Sequence, residues 1–543
     1  MNLQDLFYRS CERYAERNAL SFVSGEPLTY AQVKTDVERI IALLGRMGIT
    51  KGDKVAVLGA NMANWGIAYF AIVCAGAVAV PILPEFHPDE IRNIIEHSDS
   101  KAIIISNRFR PMIEHVIHPH LIRQVIMDDF SVVGGDLADH PSNIERTPVS
   151  GSDLASIIYT SGTTGRSKGV MLTHHNIASN AKACLQIQDV NENDVLLSIL
   201  PLSHAYENTI GFILPFMQGA SIYYLEKPPT ANVLIPALQK IRPTIMLSVP
   251  LVIEKLYRNQ VKARFVKTKW LKWMYEELIP FRKTVHYLAG RKLKAAFGGR
   301  LRFFGIGGAK VDAVVERFLY EARFPYAIGY GLTETAPLLA GSNPSQVALL
   351  AIGKVLDGVQ VKINNPDHTG MGEILAKGDN VMAGYYKDAA MTQSVFTDDG
   401  WFCTGDLGCF DKHRRLVLKG RKKNMILGAA GENIYPEDIE SIINNVKGVE
   451  ESLVLEQKGK LVAMVHLNIE ELEKQYQQVM SDAIQYYNER KEDIHQQMSD
   501  FLEEVKRYVN LHVNRFSQIQ SVEIMPTPFE KTPTLKIKRY LYS

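Results

Sequence analysis

The chain has 543 residues, 46% hydrophobic and 22% charged, which is enough apolar material for more than one buried core. Glycine at 38, proline at 24 and five scattered cysteines exclude collagen, low-complexity chains and disulfide miniproteins. A formal net charge of +2 supplies no overall field for nucleic acid, which is not expected as a partner.

Cys11, Cys74, Cys184, Cys403 and Cys409 show neither CxxC nor zinc-ligand spacing, as in a reducing compartment. The N-terminus carries a charge every few residues where a signal peptide needs an apolar run, so a cytoplasmic location is expected. Over residues 1–250, apolar helical stretches alternate with short strands such as Lys54–Leu58, Lys101–Ile105 and Gln124–Met127, predicting parallel α/β layers. Gly66–Leu83 is uncharged and reaches the ~18-residue threshold for a membrane span. Gly76 inside it, with Pro81 and Pro84 at its end, predicts a helix, a turn and a buried strand instead.

Residues Tyr159–Val170 (YTSGTTGRSKGV) form a run of hydroxyls and glycines ending in a lysine. Gly162 and Gly165 let backbone N–H groups close on phosphate oxygens; Thr160, Ser161, Thr163 and Thr164 add donors, and Lys168 adds charge. A Walker A loop is excluded, because Ser167 stands where its second glycine belongs.

Between Arg258 and Arg302 there are thirteen Lys or Arg against two acids, Glu276 and Glu277, together with Trp270 and Trp273. That pattern fits either a helix on an anionic membrane surface or a solvated helical insertion with a buried apolar face. From Val347 to Leu418 short strands and glycine turns predict a β-barrel-like subdomain, with a boundary near residue 345. Ile469–Val513 has apolar residues at three-and-four spacing and predicts a helical insertion, either one helix or a hairpin broken near Asn488–Asp493.

At the phosphate loop the chain resembles the adenylate-forming superfamily of acyl-CoA synthetases, peptide-synthetase adenylation domains and firefly-type luciferases. The resemblance continues in order through PLSHAYE (Pro201–Glu207), Gly307-Gly308-Ala309, YGLTET (Tyr330–Thr335), TGD (Thr404–Asp406), Arg421–Lys423 and Lys531–Arg539. It departs at Ser167, where family members usually have proline, and at Leu535, where glycine usually precedes the last lysine.

The resemblance implies an α/β fold with a large N-terminal domain, residues 1–420, of layered subdomains. It further implies a hinge at 421–423 containing Lys423, and a smaller mobile α+β C-terminal domain, 424–543. His204 would line the carboxylate pocket, and Gly307, Gly308 and Ala309 would lie against adenine. Tyr330 would stack on adenine, Gly331 would bind ATP, Thr333 would reach the α-phosphate, and Glu334, with Thr160, would hold Mg²⁺. Asp406 and Arg421 would bind the ribose. Lys536 would reach the acyl carboxylate and α-phosphate, with Lys538 as rival and Lys531 as outsider.

A carboxylate is a poor acyl donor, and transfer of AMP from ATP makes a mixed anhydride with a stable leaving group. CoA attack then gives the thioester with no side-chain nucleophile, in keeping with the lack of any GxSxG or Cys/His pattern. The PLSHAYE and TPTLKIKR segments resemble long-chain forms, so a fatty acid and CoA are the expected substrates. A medium-chain or aryl acid, or a carrier protein as acceptor, would leave similar motifs, as would a luciferase-like oxygenase. A non-catalytic membrane-binding protein would need only the basic segment. Oligomeric state is not legible.

Overall fold

The computed structural model describes residues 1–114, 123–133, 146–161, 167–257, 274–275, 277–427, 432–468, 493–532 and 536–542. These fall into two compact units. One comprises Met1–Asn364, Leu375–Thr404 and Phe410–Val417; the other comprises Asn365–Ile374, Gly405–Cys409 and Leu418–Ser543.

Two large sheets organise the first unit. In the seven-stranded sheet the order runs Gly384–Tyr385, Ser167–Thr173, Leu154–Ser161, Val78–Ile82, Lys54–Leu58, Ser100–Ile105 and Arg123–Ile126. The last five pair in parallel and the first three antiparallel. Parallel strands covered on both faces must be apolar throughout, and Val78–Ile82 is buried at every position. The expected helix, turn and strand occur here: helix Ala63–Cys74, Gly76 at φ +76, then that strand. No described helix is long and apolar enough to cross a membrane.

The nine-stranded sheet has a parallel centre, Tyr326–Gly331, Phe303–Ile306, Ile245–Ser248, Val195–Ser198, Ser221–Tyr224 and Asn18–Phe22, with antiparallel strands at both edges. The strand Tyr326–Gly331 is followed, one residue later, by a single 3-10 turn, Thr333–Thr335. The strands expected to make a barrel, Val359–Asn364, Gly372–Gly378, Phe402–Phe410 and Leu416–Arg421, make an open four-stranded sheet, and no closed barrel occurs among the described residues. Closure requires pairing between the two outermost strands, which local alternation does not encode.

The second unit is α+β. Its three-stranded sheet, Val449–Gln457, Lys460–Leu467 and Ser521–Met525, accompanies helices Pro436–Ile443 and Asp493–His512. Ile439, Ile443, Val454, Ala463, Val465, Val505 and Val509 form its core. Most of the expected 469–513 insertion, including the proposed break, lies outside the described residues; its later part is the helix Asp493–His512.

Candidate active site

The phosphate-loop sequence spans a β-hairpin. Leu154–Ser161 and Ser167–Thr173 pair antiparallel, with Thr160 opposite Lys168 and Ser161 opposite Ser167. Gly162, Thr163, Thr164 and Gly165 lie outside the described residues, but the hairpin fixes both ends of their segment. The Ser167 hydroxyl donates to Glu90 Oε1, which tethers the start of the second strand.

Lys168 Nζ lies 5.1 Å from the Tyr385 ring centroid. The Tyr385 hydroxyl donates to Glu334 Oε1 at 2.9 Å. Glu334 is half-buried in the turn Thr333–Thr335, and its carbonyl accepts from Met382 N–H at 2.9 Å. Asn380 Nδ2 donates to the Thr335 and Leu338 carbonyls at 2.8 and 3.1 Å. The segment Asn380–Tyr385 thus braces both the turn and its carboxylate. Thr333 is half-buried and Tyr330 is 6% exposed. Gly331 admits no side chain, since a Cβ would stand 1.9 Å from the Pro337 carbonyl oxygen.

Gly307 packs against Tyr206, where a Cβ would meet the ring at 3.1 Å; Gly308 has φ +85 and, with Ala309, is exposed. His204 Nδ1 accepts from Tyr206 N–H at 3.2 Å, which requires the Nε2–H tautomer when the ring is neutral. Glu207 begins a π-helix, Glu207–Ile213, and is 1% exposed. Its Oε1 accepts from Ser198 Oγ at 2.6 Å, while Oε2 has no partner. Burial pushes its carboxyl up to about 8.

In the second unit Arg421 Nε lies 2.8 Å from Asp406 Oδ1, so the structure brings this predicted pair together. Lys423 is exposed in the one-turn helix Lys422–Asn424 directly after Arg421. Lys536 is exposed, and the turn carrying it is held by Thr532 N–H to the Lys536 carbonyl at 2.7 Å. The two rival lysines pair with carboxylates, Lys531 with Glu451 and Lys538 with Glu530 at 3.6 Å. Arg539 Nη2, 2.6 Å from Glu440 Oε1, ties this segment to helix Pro436–Ile443.

Sequence reasoning missed Tyr385, Asn380 and Gln188. Gln188 is 2% exposed with both amide atoms unpaired, and burying a polar group without a partner costs about 1–3 kcal/mol on mutational scales. The signal for Tyr385 was an unremarked pair of tyrosines after a glycine, Gly384-Tyr385-Tyr386.

The hairpin, the carboxylate turn and the glycine-lined strand ends together define an adenylate-forming α/β enzyme. The family model for AMP-binding enzymes matches residues 7–386, and the chain belongs to that family. It is an AMP-forming acid–thiol ligase. The chain is 27% identical over 556 residues to the long-chain-fatty-acid–CoA ligase FadD15 of Mycobacterium bovis, covering 94% of this chain and 90% of that one. It is 25% identical to the long-chain-fatty-acid–CoA ligase ACSBG2 of Mus musculus, covering 86% and 76%. Among solved structures, ATP-bound MatB from Rhodopseudomonas palustris superposes with a TM-score of 0.77 at 23% identity, covering 100% of this chain and 98% of that one. MenE from Bacillus subtilis with its acyl-adenylate intermediate gives 0.76 at 21%, covering 99% and 97%. These two likenesses establish the fold.

Proposed function

We propose that this enzyme is an ATP-dependent long-chain fatty acid–CoA ligase working in two half-reactions, acyl-AMP formation with loss of pyrophosphate and then thioester formation with CoA. The observation that carries the chemistry is the line from Lys168 through Tyr385 to Glu334 beside the ends of the phosphate loop. The fatty substrate is supported by the two fatty acid–CoA ligase relatives.

The described residues contain no group of three or more His, Cys, Asp or Glu able to cage a metal. One half-buried carboxylate with a single hydroxyl donor on Oε1 suits Mg²⁺, which binds through one or two carboxylates and the substrate's phosphates. Glu334, with Thr160, would hold it, and it would neutralise developing phosphate charge. The Tyr385 hydroxyl keeps the Glu334 carboxylate in one orientation, and Lys168 opposes the anionic phosphates. Thr160, Ser161, Gly162, Thr163, Thr164 and Gly165 cradle those phosphates, and Thr333 contacts the α-phosphate. Gly307, Gly308, Ala309, Tyr330 and Gly331 receive the adenine, and Asp406 with Arg421 receives the ribose. His204 orients the acyl carboxylate. Lys536 cancels charge as that carboxylate meets ATP, and Lys423 absorbs the backbone change between half-reactions.

The test is pyrophosphate release over a panel of carboxylic acids, with and without CoA. Acids of about twelve or more carbons should outcompete short ones, because each buried methylene contributes about 0.8 kcal/mol. Best activity on acetate, butyrate or benzoate would overturn the long-chain reading and leave the ligase class. Lys536→Ala should cripple adenylation while sparing thioester formation from supplied acyl-AMP; a selective defect in Lys538→Ala instead would move the role.

The proposed enzyme works at an anionic membrane surface. Helix Ile279–Ala296 exposes Lys283, Arg291, Lys292 and Lys294 around Tyr287 and Leu288, which are 43% and 52% exposed. Trp270 and Trp273 lie outside the described residues. Vesicle sedimentation at low salt should be lost on raising salt, since each such cation contributes about 1 kcal/mol near the surface. No binding to anionic vesicles at low salt would leave the face simply solvated.

A further inference from the structure

The proposed reading leaves open what the acyl chain carries, and a cavity in the first unit bears on it. It has a volume of about 30 Å³ and is walled by Cys184, Ile210, Phe303, Ala327 and Leu338, with Gln188 among them. Tyr206, two residues after His204, forms its side nearest the strand-end glycines, since a Cβ on Gly305 would stand 3.0 Å from the Tyr206 hydroxyl. Gly305 also brings the sheet close to Leu247, which its Cβ would meet at 2.7 Å, and two further glycines do the same: a Cβ on Gly341 would lie 2.6 Å from Ile187 and on Gly329 2.8 Å from Leu338.

A cavity of this make-up would suit a bare hydrocarbon if its wall were apolar throughout. Gln188 breaks that rule. It is 2% exposed, it lines the cavity, and neither Nε2 nor Oε1 has a hydrogen-bond partner. The other sulfur or oxygen groups on the wall differ in kind: the Cys184 thiol donates to Asn180 Oδ1 at 3.8 Å, and the Tyr206 hydroxyl is donor and acceptor in one atom. A primary amide offers two donors and an acceptor side by side, and a hydroxyl can satisfy a donor and the acceptor together.

We infer that Gln188 is a specificity-determining residue that selects an acid bearing a hydroxyl group along its acyl chain, the cavity at Gln188 receiving that hydroxyl. The inference rests on the carboxylate-activating reading above. A site built to hydrogen-bond a substrate hydroxyl discriminates against the analogue lacking it, because the buried amide is then left unpaired.

The experiment measures kcat/KM for pyrophosphate release with saturated acids and their hydroxy derivatives, the hydroxyl placed at successive carbons, on the full-length enzyme and on Gln188→Met. In the native enzyme one positional isomer should exceed its parent acid by about tenfold. In Gln188→Met that ratio should fall to about one or below, with the plain acid improved through KM and not kcat. Gln188→Asn, which keeps the amide on a shorter arm, covers the case in which the Met variant does not fold; it should retain a preference for a hydroxyl acid but at a different carbon. A native ratio near one at every position, or a ratio unchanged in Gln188→Met, overturns the assignment and leaves the amide paired with water. Failure of every acid to release pyrophosphate removes the ligase reading and this inference together, whereas activation with an unchanged ratio removes the inference alone.

Discussion

Two carboxylates of the first unit sit in opposite surroundings. Glu334 is half-buried on a single 3-10 turn, with the Tyr385 hydroxyl on one oxygen and a backbone brace from Met382. Glu207 is 1% exposed inside a π-helix, with Ser198 on one oxygen and no partner on the other. Both occur in motif segments, and the family resemblance assigns a role to Glu334 alone. Their surroundings separate them: an approachable, oriented carboxylate can meet phosphate charge and a cation, while a sealed one whose carboxyl is raised to about 8 is held mainly as the neutral acid below that pH. The first has the surroundings that the proposed chemistry requires, and the second is enclosed by packing.

The largest expected effect tests the first half of that contrast. Glu334→Ala should lower pyrophosphate release by about 10²–10³, or about 3–4 kcal/mol, with little change in melting temperature. Measuring turnover and thermal melting on one preparation breaks the comparison if the variant unfolds or keeps its activity.

Gly331→Ala should cost about 1–3 kcal/mol of stability or more, because its Cβ would overlap a backbone oxygen at 1.9 Å that no rotamer change can clear. Denaturant titration reads the loss directly. A variant as stable as the native chain would mean the turn yields, and the brace from Asn380 and Met382 is not rigid.

The second half of the contrast carries a pH signature. Glu207 is raised from 4.5 to about 8, so between those values the native state keeps a proton that the unfolded state releases. Stability from this group is therefore present below about pH 4.5 and is lost as pH rises toward about 8. Glu316 and Glu440, both raised to about 7 by burial, push the same way, so the comparison must be with Glu207→Gln. The native chain should lose stability relative to that variant between pH 5 and 8, by at most about 1.4 kcal/mol per pH unit. Parallel profiles of the two proteins would show that Glu207 does not titrate in the window.

The smallest effect sharpens the role of Tyr385. Tyr385→Phe removes the 2.9 Å hydrogen bond to Glu334 and keeps the ring beside Lys168. It should slow pyrophosphate release about three- to tenfold, corresponding to about 0.5–1.5 kcal/mol, and raise the magnesium concentration needed for half-maximal rate. A change in rate with no change in magnesium dependence would detach Tyr385 from the metal-holding role proposed for Glu334.

Local signals carried much of the fold. Gly76 and the β-branched run after it announced the helix, turn and strand of residues 63–82, and Lys54–Leu58 forms a strand over the expected residues. Asp406 and Arg421, fifteen residues apart, also proved to be neighbours. What stayed hidden depends on distant pairing. Tyr385 reaches Glu334 because the two-residue strand Gly384–Tyr385 adds to Val170 and Met171, a contact across more than 200 residues that no period reveals. The barrel expectation failed for the same reason, since strand count and glycine turns do not say whether the outer strands meet. Gln188 stands beside Asp189 with no local signal that it is buried; its burial comes from packing beside strands of the nine-stranded sheet.

Gly331 has a bearing on how such chains diverge. The oxygen of Pro337 excludes every side chain at that position, whatever the molecule binds. A descendant that lost the ability to activate acids would keep this glycine for as long as it kept its shape, while Glu334 and Lys168, half-buried and unconstrained by any such collision, would be released to drift. Decay of function in this lineage would therefore be written in the charged members of its signatures long before it reached the glycines.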